Sequence, residues 1–113
     1  MTTKSDVPYL QHILDAISDI EESTQGISKE HFIINKDIKD ANVRRLEIIG
    51  EAVKHISKEF RDAHPEIEWN EIVGMRDTMI HKYFGVNLDI VWDTIREDLP
   101  DLKKKLQKIA KTL

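Results

Sequence analysis

Apolar residues recur at three- and four-residue intervals along almost the whole chain, and only four glycines and three prolines interrupt them. That spacing is the period of a helix buried on one face, and no stretch alternates as a half-buried strand would. The first helix is expected to start near Ser5 or Asp6, either of which can cap it, and to bury Leu10, Ile13, Leu14, Ile17 and Ile20. The segment STQGIS breaks the pattern at Gly26, and Ser28 can cap a short helical piece over Glu30 to Ile34. A long helix is expected from Asp37 to Phe60, with Ile38, Ala41, Leu46, Ile49, Val53, Ile56 and Phe60 inward. Gly50 lies inside it, where glycine costs about 1 kcal/mol relative to alanine, so close approach of another helix is the compensation to look for.

Pro65 centres the next break. A third main helix carries Trp69, Ile72, Val73, Met79 and Ile80 and is expected to stop at Gly85. Asn87 can cap a fourth, with Ile90, Val91 and Ile95 inward. Pro100 must end or kink that helix, and can equally open a final segment holding Leu102, Leu106, Ile109 and Leu113. The expected fold is all-α: an antiparallel four-helix bundle with a short extra helix and a last helix broken at Pro100, in a single domain spanning 1–113.

At 113 residues the chain can bury one core without staples. Cysteine is absent, which excludes a disulfide framework and a thiolate metal site and suits a reducing cytoplasm. MTTKSDVPYL lacks the basic start and apolar run of a signal peptide, and no apolar segment approaches the ~18 residues that span a bilayer. The expectation is a cytoplasmic protein with no membrane association. A net charge of −4 argues against a protein that coats nucleic acid, although a local basic cleft can still hold a phosphate backbone. Lys103, Lys104, Lys105, Lys108 and Lys111 crowd the tail, where cations also offset a helix macrodipole.

Chemistry concentrates in GMRDTMIHKYFG, residues 74–85. His12, His31, His55, His64 and His81 are never paired at i, i+4, and the pairs Glu51–His55 and Asp77–His81 supply two ligands each, so no metal and no cofactor is expected. There is no G-x-S-x-G elbow and no glycine-rich phosphate loop. General acid–base cleavage of a phosphodiester remains. It needs a base for the 2′-hydroxyl, an acid for the leaving oxygen and a fixed cation at phosphorus. His81 has the right chemistry for the proton and Arg76 for the phosphate. On an ideal helix the two point about 140° apart. Asp77 shares a face with His81 and can orient the imidazole or hold its proton, while Tyr83 returns to the face of Arg76. One histidine serves poorly as both base and acid, so a homodimer with its site across the two-fold axis is expected. A structural account of the same side chains stands beside this: a histidine aiding a helix dipole, a snorkelling arginine and a core tyrosine with a wet hydroxyl.

Three segments in order, ANVRRLEIIGEAVKHISKEF, HPEIEWNEIVGMRDTMIHKYFGVNLDIVW and EDLPDLKKKL, resemble the HepT-like branch of the HEPN superfamily over roughly residues 30 to 106. Its motif R-x4-H-x-Y is met by Arg76, His81 and Tyr83, and Asp77 fills the polar position after the arginine. The resemblance implies a helical, dimeric, metal-independent RNA endonuclease that acts as the toxin of a toxin–antitoxin pair. It implies Arg76 and His81 as the catalytic pair, and Tyr83 as the hydroxyl that receives AMP from a cognate minimal nucleotidyltransferase antitoxin. The added phosphate would pair with Arg76 and the nucleotide would take the place of RNA. Arg44 matches a family position that lines the cleft or braces the dimer, although an ordinary surface arginine would look the same. The competing reading is a non-catalytic subunit that presents a substrate or nucleotide to a separate nucleotidyltransferase, and a third is a plain interaction module.

Overall fold

The computed structural model describes residues 6–81 and 87–113, with side chains described at 6–77 and 87–113. Among these residues every regular element is helical: α1 Val7–Thr24, α2 Lys29–Ile34, α3 Lys36–His55, α4 Lys58–Ala63, α5 Trp69–His81, α6 Leu88–Asp93, a π-helical turn Thr94–Asp98 and α7 Leu99–Ala110. Together they form the expected antiparallel helical bundle, with α3 central. The end of α1 meets the start of α3 through Ser23 and Asn42, and its start meets the far end of α3 through Asp6 and Ser57. Helix α7 returns along α1, where Lys103 pairs with Glu21 at 2.7 Å.

The core follows the helical period. Ile13, Ile17 and Ile20 of α1 lie against Leu46, Ile49 and Val53 of α3, and Leu106 and Ile109 of α7 close the same layer. Phe32 and Phe60, from the short helices α2 and α4, are also buried. The buried amide of Asn42 is satisfied, donating to Ser23 Oγ at 2.7 Å and Ile38 O at 2.9 Å and accepting from Arg45 at 3.0 Å. Gly26 has φ +75°, the left-handed turn that lets the chain leave α1 for α2. Ser28, Asn35 and Asn87 cap α2, α3 and α6 with their side-chain oxygens.

Several expectations are refined. The long helix does not reach Phe60: α3 ends at His55, and Ser57 caps a separate α4 by accepting from Phe60 N at 3.1 Å. Val53, Ile56 and Phe60 keep helical spacing and are all buried, so the apolar pattern runs through the break. Asp6 precedes α1, yet its carboxylate does not cap it; it accepts from the N–H and the hydroxyl of Ser57, both at 2.8 Å. Ile90 is exposed where an inward position was expected, because Val91 and Ile95 take the core-facing row of that helix. Leu113, likewise expected inward, lies beyond the end of α7 and is exposed.

The interruption at Pro100 has a definite form. Pro100 is the second residue of α7, and the π turn immediately before it widens the helix where the proline ring would meet the carbonyl one turn back. Arg96, in that turn, sits 4.3 Å from the centre of the Trp92 ring and donates to Thr24 O at 2.8 Å and Ile27 O at 3.0 Å. It thereby ties the last helical run to the end of α1. The expected stop at Gly85 lies outside the described residues.

Candidate active site

The short helix α4 aims α5. The indole of Trp69 donates to Arg61 O at 3.2 Å and His64 O at 3.0 Å, and its ring packs edge-on to Phe60. From that anchor α5 crosses α3 at Gly50. A Cβ built on Gly50 would overlap Arg76 Cβ and lie 2.6 Å from Arg76 Cγ and 3.2 Å from Ile72 O. Glycine is therefore what lets the arginine stem lie flat on α3, the close approach that its place in the helix predicts.

The guanidinium is then held on two sides. Nη2 lies 2.8 Å from Glu51 Oε2, and Nη1 donates to Asp77 Oδ1 at 3.0 Å. Arg76 is only 21% exposed, against about half for its two carboxylate partners. Lys54 reaches Asp77 at 3.3 Å from one turn further along α3. These two donors, Arg76 first and Lys54 second, hold the Asp77 carboxyl below the usual aspartate range. Asp77 is thus an ionised acceptor and not a source of protons near neutral pH.

Glu51 has a second contact. Its Oε1 is 3.5 Å from His55 Nε2, so one carboxylate bridges an arginine of α5 and a histidine of α3. Among the described residues the charges of Arg76, Lys54, Glu51 and Asp77 cancel in pairs and form an alternating cluster.

Of the residues that the sequence singled out, Arg76 and Asp77 are brought together. Helix α5 continues to His81, which puts its Cα on the same helix about one and a half turns beyond Arg76. The side chain of His81, and all of Tyr83, lie outside the described residues. Arg44 is 70% exposed and pairs with Glu47 at 3.2 Å. It shares the α3 face of Glu51 but sits ~10 Å further back along the axis. Glu51 and Lys54 are the additions, and Gly50, expected as a point of close helix approach, proves to seat Arg76. Glu51 and His55 are visible in the sequence as an i, i+4 pair, but nothing there says that Arg76 would join them.

A cavity of about 690 Å³ opens elsewhere, floored by Ile72, Met75 and Leu102; Glu68, Glu71, Glu97 and Asp98 rim it, and its one lysine among the described residues, Lys105, is paired with Asp101 at 3.0 Å. The hydrogen bond and charge of Glu68 hold the Glu71 carboxyl above the usual range, a sign of crowded negative charge. Such a rim repels phosphate, so the cavity is no place for an RNA backbone.

A model of the family described as ribonuclease HepT-like matches residues 13–109, a span that includes Gly50, Glu51, Arg76 and His81. The chain belongs to the HepT-like ribonuclease family. Among its relatives is a provisionally named RNase of Caldanaerobacter subterraneus subsp. tengcongensis, 49% identical over 94% of this chain and 95% of its own. A provisionally named ribonuclease HepT of Thermococcus cleftensis is 47% identical over 96% of this chain and 98% of its own. A provisionally named RNase of Methanocaldococcus jannaschii is 47% identical over 93% and 87%. No solved structure matches the chain. No described helix is long and apolar enough to cross a membrane.

Proposed function

We propose that this HepT-like protein is a metal-independent RNA endonuclease, the toxin of a toxin–antitoxin pair, working as a cytoplasmic homodimer. The observation that carries the reading is the seating of Arg76: stem laid on Gly50, guanidinium fixed by Glu51 and Asp77, on the helix that ends in His81. A permanent cation held in one orientation is what stabilises the charge that gathers on phosphorus during transesterification. In the proposed step His81 takes the 2′-hydroxyl proton and the 2′-oxygen attacks phosphorus. The 5′-oxygen leaves with a proton from His81 of the second subunit, giving a 2′,3′-cyclic phosphate and a 5′-hydroxyl. Asp77, ionised, holds Arg76 in place.

The same reading extends to inhibition. A minimal nucleotidyltransferase antitoxin would transfer AMP from a nucleoside triphosphate to the Tyr83 phenol, releasing pyrophosphate. The new phosphodiester anion would pair with Arg76 and so compete with RNA. The pairing of Arg76 with two carboxylates favours a second reading, a non-catalytic subunit that presents a substrate or nucleotide to a nucleotidyltransferase.

Digestion of RNA in the presence of EDTA separates them. Wild-type protein is expected to cut, and Arg76→Ala and His81→Ala to lose at least about a hundredfold in rate with the fold intact. Both variants cutting at the wild-type rate would overturn the assignment. Intact mass after co-expression with the neighbouring nucleotidyltransferase tests the modification, and light scattering tests the dimer.

A further inference from the structure

The Arg76 cluster does not end at Glu51. His55, the other partner of that carboxylate, stacks on Tyr9 of α1 with ring centroids 5.1 Å apart and planes 13° from parallel. His12, one turn along α1, meets Tyr9 edge-on at 6.0 Å and 89°. The His55 side chain is 54% exposed although Tyr9 covers one of its faces. The imidazole thus lies on a phenol ring, with its Nε2 edge 3.5 Å from Glu51 Oε1.

We infer that the His55–Tyr9 stack is a nucleobase-binding subsite adjoining Arg76, one that takes a single unpaired base of a single-stranded RNA. The inference rests on the ribonuclease reading and deepens it by naming the form of the substrate. A flat ring with a fixed plane and an open face is what a splayed base stacks upon, and any base can do so because each has a π face. The neighbouring charge decides between base and phosphate. Glu51 stands at the edge of the platform and repels an anion, whereas an uncharged base tolerates it. Since the other oxygen of Glu51 holds Arg76, platform and guanidinium are separated by one carboxylate, in the order base and then phosphate along one nucleotide. Bases inside a duplex are already stacked and paired, so the subsite selects single strands.

The test uses a labelled single-stranded oligoribonucleotide and the same strand annealed to its complement, with cleavage kinetics and binding by fluorescence anisotropy. His55→Ala is expected to raise KM and Kd for the single strand about tenfold, the loss of one stacked base. The value of kcat should stay within about twofold. His55→Phe keeps a flat ring without a titrating nitrogen and should restore KM and Kd. Unchanged KM and Kd in His55→Ala would overturn the subsite. So would a kcat loss in His55→Phe as large as in His55→Ala, which would make His55 a proton carrier. Wild-type protein that binds the strand through His55 but never cuts it would end the ribonuclease reading and leave the platform standing. Protein that neither binds nor cuts would end both.

Discussion

Asp77 is a surface carboxylate whose behaviour is set by two cations from different helices, Arg76 beside it on α5 and Lys54 across on α3. Both favour its ionised form, so its folded-state pKa lies below the unfolded value. The sign follows: the contribution to stability is present above the unfolded pKa and fades as pH falls through the lower, folded one. The carboxyl carbon resonance of Asp77 is therefore expected to titrate below the ordinary aspartate range, and Arg76→Ala should move it upward. A midpoint that Arg76→Ala leaves unchanged would mean that the pair does not persist in solution. At this scale the sequence marks Arg76 and Asp77 by type and spacing. It is silent on Glu51 and Lys54, because a partner on another helix is fixed by how helices cross, which no local pattern encodes.

Between elements, the crossing of α5 over α3 depends on the missing side chain at Gly50. Alanine there would gain about 1 kcal/mol of helix propensity. Its Cβ, however, would overlap the root of the Arg76 side chain, which is no flexible tip and cannot swing away. Gly50→Ala should therefore be a net loss of about 2 kcal/mol, with α5 pushed outward and RNA cleavage reduced. Thermal melting checks the first and the cleavage assay the second. Helix content and most boundaries were legible because burial follows the 3.6-residue period: α1, α2 and the cap at Asn87 stand close to where the pattern puts them. The α3–α4 break was not legible. Three buried residues keep their spacing across it, and the serine that makes the break also has a partner far away in sequence.

That partner acts on the whole molecule. Buried Asp6 clasps Ser57 across 51 positions, fastening the entry of α1 to the joint between α3 and α4, and so to the short helix that aims α5. Asp6→Ala removes two hydrogen bonds to a charged acceptor and should cost about 2–3 kcal/mol in urea unfolding. Ser57→Ala should cost less alone, and the double variant less than the sum of the two. Strict additivity would show that the hydroxyl arm of the clasp contributes nothing, since Ser57→Ala leaves the backbone N–H bond to Asp6 in place. A different consequence comes from Glu51, whose two oxygens are shared out between Arg76 and His55. Any anion that draws Arg76 off its oxygen leaves that carboxylate to the imidazole alone. Arg76 and His55 thus share one carboxylate, and a change at Glu51 reaches both helices at once.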